Sequence, residues 1–130
     1  MKLLSIAVPC YNSAAYMDRC IRSLLHGGDE VEILIVDDGS QKDNTGEIAD
    51  RYEREYPNMT GLKNASGVFF KVVDSDDWVD PESYDKILST LRDFTAKNTQ
   101  LDLLISNFVY EKEGAAHKRV MNYRKVLPQE

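Results

Sequence analysis

Apolar and polar positions fall into blocks along this chain, and the blocks change period. Residues 3–8 (LLSIAV) form a short apolar run closed by Pro9, the pattern of a buried strand. Tyr16, Cys20 and Leu24, with Ile21 and Leu25 beside them, then recur at helical spacing. Asn12 or Ser13 stands where a cap is needed, and Gly27-Gly28 ends the helix. Residues 31–36 (VEILIV) repeat the strand signal. Ile48, Ala49 and Tyr52 mark a second helix over 45–56, capped by Asp43 or Asn44 and stopped by Pro57. Residues 68–73 (VFFKVV) predict a third strand. Pro81 suits the first turn of another helix, with Tyr84, Ile87, Leu88 and Leu91 as its apolar stripe. Residues 101–106 (LDLLIS) predict a fourth strand, and the chain beyond 109 is weakly patterned.

Strand and helix in strict alternation predict an α/β fold, a Rossmann-like open and mostly parallel sheet with flanking helices. The 130 residues suit one domain, read as a core over 1–108 and a tail, or the start of a further region, over 109–130. A formal net charge of −6 argues against nucleic acid as a partner. An acidic chain can still hold a phosphorylated ligand, given a divalent metal, a helix N-terminus or a few placed cations. Cys10 and Cys20 match no zinc or redox spacing and read as reduced thiols, so a cytoplasmic location is expected. No leader pattern precedes the first strand, and no apolar run approaches the roughly 18 residues of a membrane span.

The chemistry gathers at strand ends. In open α/β sheets, ligands bind beyond the carboxyl ends of the strands. Pro9-Cys10-Tyr11-Asn12 follows the first strand, Asp37-Asp38-Gly39-Ser40 the second, and Asp74-Ser75-Asp76-Asp77 the third. Three carboxylates within four residues repel one another, and a divalent cation removes that cost. Oxygen-only ligands suit Mg²⁺ or Mn²⁺, and the absence of His or Cys from the cluster argues against zinc. The plainer reading is a solvated acidic turn before Pro81; the strand before the cluster and Trp78 after it favour metal. Asp37-Asp38 is either turn chemistry or a carboxylate that accepts hydrogen bonds from a ligand. Tyr11 is either a packed ring or a face on which a base stacks. Trp78 reads as a wall or core residue rather than a catalytic one, and His26 and His117 as solvated surface. Cys10 has no general base beside it in sequence, so it is no candidate nucleophile.

Together these stretches resemble glycosyltransferase family 2, with its GT-A fold. The residues that carry the likeness are SIAVPCYNSAAYMDRCIRSLL (5–25), EILIVDDGSQKDNT (32–45) and KNASGVFFKVVDSDDWVDP (63–81). Each motif alone is weak, and their order, each after a strand, is specific. The resemblance implies that Tyr11 stacks on the nucleobase, Asp38 hydrogen-bonds to it, and Pro9 and Asn12 shape the pocket. Asp74-Ser75-Asp76 looks like the family's DxD motif. Asp76 would then be the main ligand of Mn²⁺ or Mg²⁺, with Asp74 assisting through the ribose or a metal-bound water. The function implied is transfer of a sugar from a nucleotide-diphosphate donor, of the uridine kind, to a hydroxyl of a saccharide or lipid-linked acceptor. The transfer would invert the anomeric centre and would serve cell-surface polysaccharide or glycoconjugate synthesis.

Two departures qualify the resemblance. The family's general base lies well downstream of DxD; Glu111 and Glu113 lie in that direction and match no motif, so no base is assigned. A non-catalytic nucleotide-binding fragment is therefore the alternative, and inefficient transfer is expected of this chain alone. The family also places a strand and a Gly-rich, often basic loop before the NASG-like segment, whereas here Tyr56-Pro57-Asn58-Met59 runs directly into Thr60-Gly61-Leu62-Lys63. The flanks favour a stretch omitted between Met59 and Thr60 over a true deletion. LIVDD also opens phosphoryl-acceptor receiver domains. In this chain, however, the Asp pair follows the second strand rather than the first, and no lysine ends the run at 101–106.

Overall fold

The computed structural model describes residues 1–60, 65–111, 116 and 118–122. The chain divides into two compact units, Met1–Asp93 and Phe94–Glu130. The first unit contains β1 (Leu4–Cys10), α1 (Met17–Leu25), β2 (Val31–Asp37), α2 (Thr45–Glu55), β3 (Met59–Thr60) and β4 (Phe69–Val72). A single 3-10 turn, Gly28–Glu30, leads from α1 into β2. The helix α3 (Pro81–Ala96) follows β4, and the second unit adds β5 (Phe108–Tyr110) and β6 (Arg119–Met121), an antiparallel pair.

The four strands of the first unit form one wholly parallel sheet in the order β3-β2-β1-β4. This confirms the Rossmann-like α/β reading. Apolar burial drives it. Ile6, Val8, Val31 and Ile33 are at most 1% exposed, and α1 contributes Met17, Cys20, Ile21 and Leu24 at 0%. Tyr84, Leu88 and Leu91 are the buried stripe of α3. The Tyr84 hydroxyl donates to the Leu24 carbonyl, 3.2 Å away, which also accepts from the Gly27 amide at 3.1 Å, and so ties α3 to the end of α1. Gly27 has no room for a side chain: a Cβ there would stand 2.5 Å from the Tyr84 hydroxyl and 2.6 Å from Val31.

Two expectations are corrected. Residues 101–107 form no strand, and Leu103 is 73% exposed. An apolar run predicts burial, but a strand also needs a ladder partner, which a run cannot specify. Asn12 and Ser13 do not cap α1, which begins only at Met17 after a turn in which Tyr16 and Met17 both donate to the Ser13 carbonyl. Tyr16 therefore lies outside the helical stripe and is 60% exposed. Met59 and Thr60 form the short edge strand β3, paired with Ile33 and Leu34.

The edge strand β4 is bare on one side. Val68 just before it is 46% exposed, and Phe70 and Val72 within it are 60% and 51% exposed. Period-two alternation places these three side chains on one face.

Candidate donor and metal site

Because the strands are parallel, their carboxyl ends meet on one edge. Cys10 at the end of β1 stands beside Asp37 at the end of β2, and Ala7 beside Val72 of β4. The loops leaving these ends enclose a cleft of about 440 Å³ lined by Pro9, Tyr11, Asn12, Asp38, Asp74 and Asp76. Every site residue expected from sequence thus reaches the same hollow. Cys10, Ser13, Tyr16 and Ser75 line it as well; none of the four is among the expected site residues, and helical spacing assigns Tyr16 to the apolar stripe of α1.

Short polar side chains hold the loops in place. The Asn12 backbone is left-handed, with φ of 47°. Its side-chain carbonyl accepts from the amides of Gln41 and Lys42, at 3.2 and 3.0 Å, and its own amide donates to Ser40 Oγ at 2.9 Å. Asn12 therefore shapes the rim by tying the first loop to the second. Ser13 donates its amide to Thr45 Oγ1 at 2.8 Å, and Ala14 donates to Asp43 at 3.0 Å. Asp43 also accepts from the Thr45 hydroxyl at 2.6 Å and the Thr45 amide at 3.1 Å at the start of α2, and this bonding, the hydroxyl's first, lowers its pKa. The Asp37-Asp38 pair divides its labour. Asp37 accepts from the amide and hydroxyl of Ser40 and closes a turn helped by Gly39 at φ 74°, while Asp38 is exposed on the cleft.

On the third loop, Asp74, Asp76 and Asp77 are all exposed, and each offers a carboxylate oxygen within 4.8 Å of the others. The Asp77 amide donates to the Asp74 carbonyl at 2.9 Å, which tightens the turn. Partial burial, then the charges of Asp76 and Asp74, raise the pKa of Asp77, with Lys71 opposing them. From below, the Cys20 thiol donates to the Asp74 carbonyl at 3.5 Å. Burial pushes Cys20 up to about 12 and Cys10 up to about 11, so both remain protonated thiols. Trp78 is covered by Arg19, whose guanidinium carbon stands 3.3 Å from the ring centroid. His26 is paired with Asp85 at 3.0 Å, and His117 lies outside the described residues.

Residues 5–60 match the family described as Glycosyl transferase family 2. The chain is 32% identical to EpsH of Bacillus subtilis over 126 positions, covering 85% of this chain and 35% of EpsH. It is 28% identical to the glycosyltransferase GlyA of Streptococcus pneumoniae over 144 positions, 95% of this chain and 20% of GlyA. That aligned stretch is longer than the chain itself, so GlyA has residues inside it that this chain does not. The fold resembles the crystal structure of S. aureus TarS 1-349 with a TM-score of 0.60 and 29% identity, over 73% of this chain and 33% of TarS 1-349. TarS 1-349 has also been crystallised in complex with UDP-GlcNAc, and there the TM-score is 0.58. The chain spans about a third of the length of EpsH and of TarS 1-349. Ordered motifs, parallel topology and these likenesses together place the chain in glycosyltransferase family 2, as part of a GT-A fold.

Proposed function

We propose that this chain binds the donor of a glycosyl transfer, a uridine-type nucleoside-diphosphate sugar, together with a divalent cation. It would act as part of an inverting transferase. The observation that carries this reading is the meeting of Tyr11, Asp38, Asp74 and Asp76 on one cleft. Tyr11, 62% exposed, offers a ring face to the base. Asp38 accepts a hydrogen bond from the base edge, and Pro9 and Asn12 fix the pocket around it. The crystal complexes of TarS 1-349 with UDP-GlcNAc and with UDP support a donor of this class.

The aspartate cluster fits a hard cation. Its donors are all oxygen, and the mutual repulsion felt at Asp77 is the cost a dication removes. Asp76 would hold Mn²⁺ or Mg²⁺, with Asp74 assisting through the ribose or a coordinated water. When bound, the ion supplies charge neutralisation for the departing nucleoside diphosphate. The acceptor would be a hydroxyl of a saccharide or lipid-linked molecule in surface polysaccharide or glycoconjugate synthesis. No helix among the described residues is long and apolar enough to cross a membrane. The free, buried Cys10 and Cys20 support a reducing, cytoplasmic setting.

One observation favours a second reading, donor binding without turnover. Among the described residues lining the cleft, the carboxylates are Asp38, Asp74 and Asp76, which leaves none as general base. Glu111 is paired with Lys118 at 3.1 Å, and Glu113 lies outside the described residues. Calorimetry of UDP binding tests the main proposal: affinity is higher with Mn²⁺ than with chelator, and equal affinity in both refutes it. Sugar transfer to a saccharide acceptor, against slow donor hydrolysis alone, separates the two readings.

A further inference from the structure

A carboxylate sits at the opposite edge of the sheet from the cleft. Glu32 of β2 is 7% exposed, and neither the fold nor the donor site accounts for it. Burying a carboxylate is unfavourable unless hydrogen bonds replace its water. Here they do. Its Oε1 accepts from the Ser5 hydroxyl, from the Ser66 amide and, at 3.0 Å, from the Gly67 amide, while Ser66 Oγ lies 3.0 and 3.1 Å from the two oxygens. Ser5 Oγ in turn accepts from the Gly67 amide at 2.8 Å. One side chain thus joins β2, the neighbouring β1 and the segment entering β4. Gly67 makes the fit close: a Cβ there would lie 2.5 Å from the Ser5 nitrogen and 2.8 Å from the Leu4 carbonyl carbon.

The strand that follows needs such a device. β4 pairs with β1 over only four residues, Leu4↔Phe69 to Ala7↔Val72. Register is normally set by an apolar face that must be buried, because a slip of one residue turns every side chain to the other face. In β4 the signal is poor. Apolar residues occur on both faces, and Phe70 and Val72 are 60% and 51% exposed. Yet the register of β4 decides which residues emerge at the cleft. A slip of one would put Val73 or Ser75 where Asp74 stands and carry Asp76 away from Asp38.

We infer that Glu32 is a positioning residue: with Ser5, Ser66 and Gly67 it locks β4 in register on β1 and so delivers Asp74 and Asp76 to the cleft from the far end of the strand. The consequence for ligand binding rests on the donor–metal reading proposed above; the register itself does not. A buried ionic network is seldom the most stabilising filling of its space, and specifying one arrangement is its better-attested use.

Amide hydrogen exchange and calorimetry on the full chain test the idea. In Glu32→Ala the amides of Phe69 and Val73, which donate to Leu3 and Ala7, lose protection at least tenfold, while Ile33 between β2 and β3 keeps it. UDP affinity in Mn²⁺ falls at least tenfold. Glu32→Gln retains a carbonyl oxygen to accept the two amides and binds within threefold of wild type. Leu88→Ala, a core variant on α3 that takes no part in the hydrogen-bond network, serves as the stability control; it lowers the melting temperature without the selective loss at Phe69 and Val73. Should Glu32→Ala not fold, Ser5→Ala is read the same way. Protection at Phe69 and Val73 that falls only in step with Ile33 overturns the inference. So does nucleotide affinity that tracks melting temperature alike in Glu32→Ala and Leu88→Ala. If wild type binds no nucleotide, the donor proposal fails, and the exchange pattern still decides the register.

Discussion

The hydroxyl of Ser75, set between two aspartates of the third loop, donates to the hydroxyl of Ser13 on the first loop at 2.9 Å. Ser13 also accepts from the Tyr11 amide at 3.0 Å, so one short chain of bonds links the aromatic and the acidic sides of the cleft. Ser75→Ala removes the link without touching a carboxylate. The expected cost is about 0.5–1.5 kcal/mol of stability, the usual net value of one hydrogen bond. UDP affinity with Mn²⁺ should fall a few-fold, and a denaturant melt alongside calorimetry measures both.

Asp76→Asn is expected to remove the metal-dependent part of nucleotide binding and leave the metal-free part intact. If the increment in wild type is tenfold, it corresponds to about 1.4 kcal/mol. Titrating UDP into both proteins, with Mn²⁺ and with chelator, gives the four affinities needed. An increment that survives in Asp76→Asn would move the metal elsewhere.

Much of the placement of this cleft is legible in the sequence. The carboxyl ends of parallel strands must share an edge, so motifs that follow LLSIAV, VEILIV and VFFKVV had to converge. Turn chemistry alone does not say which of Asp37-Asp38 faces the cleft, since both are aspartates; the resemblance points to Asp38, and in the structure Asp37 is held by Ser40 while Asp38 lines the cleft. Glu32 escaped for a related reason: in VEILIV it looks like an outward-facing charge, and its partners Ser5 and Ser66 lie 27 and 34 residues away. The run at 101–106 misled because hydrophobicity reports a wish for burial, not a pairing partner.

Glu32 also sets an acid limit. Burial alone would raise its pKa, but the bonds from Ser5, Ser66 and Gly67 outweigh burial and hold it below the ordinary glutamate value. A carboxylate lowered on folding contributes its stability in full above its unfolded pKa and loses it as pH falls through the folded one. Wild type should therefore melt higher than Glu32→Gln at pH 7. The two should converge as pH drops below the ordinary glutamate range. Thermal melts from pH 7 to pH 3 give the comparison.

Gly67→Ala is expected to destabilise the chain by about 1–3 kcal/mol, the usual range for overpacking, because the obstruction is the backbone of Leu4 and Ser5 rather than a movable side chain. Gly39→Ala, at a left-handed turn with open space around it, should cost less, about 1 kcal/mol from backbone strain alone. Urea denaturation of the two variants tests the order.

Cys10 and Cys20 should resist thiol reagents in the native chain at pH 8, since both are at most 2% exposed and their pKa values are raised to about 11 and 12. Denaturant should expose both at once. Fast labelling of either thiol without denaturant would show that the floor of the cleft opens.

Trp78 is the chain's single tryptophan, next in sequence to Asp77 and beneath the guanidinium of Arg19. That placement gives the protein a built-in optical gauge. Its emission arises from one site, one residue from the aspartate cluster, and a paramagnetic ion such as Mn²⁺ quenches a nearby indole while Mg²⁺ does not. If the cluster holds a cation as proposed, Mn²⁺ lowers the emission of the unlabelled chain and added Mg²⁺ restores it; emission unchanged by Mn²⁺ would count against metal at the cluster.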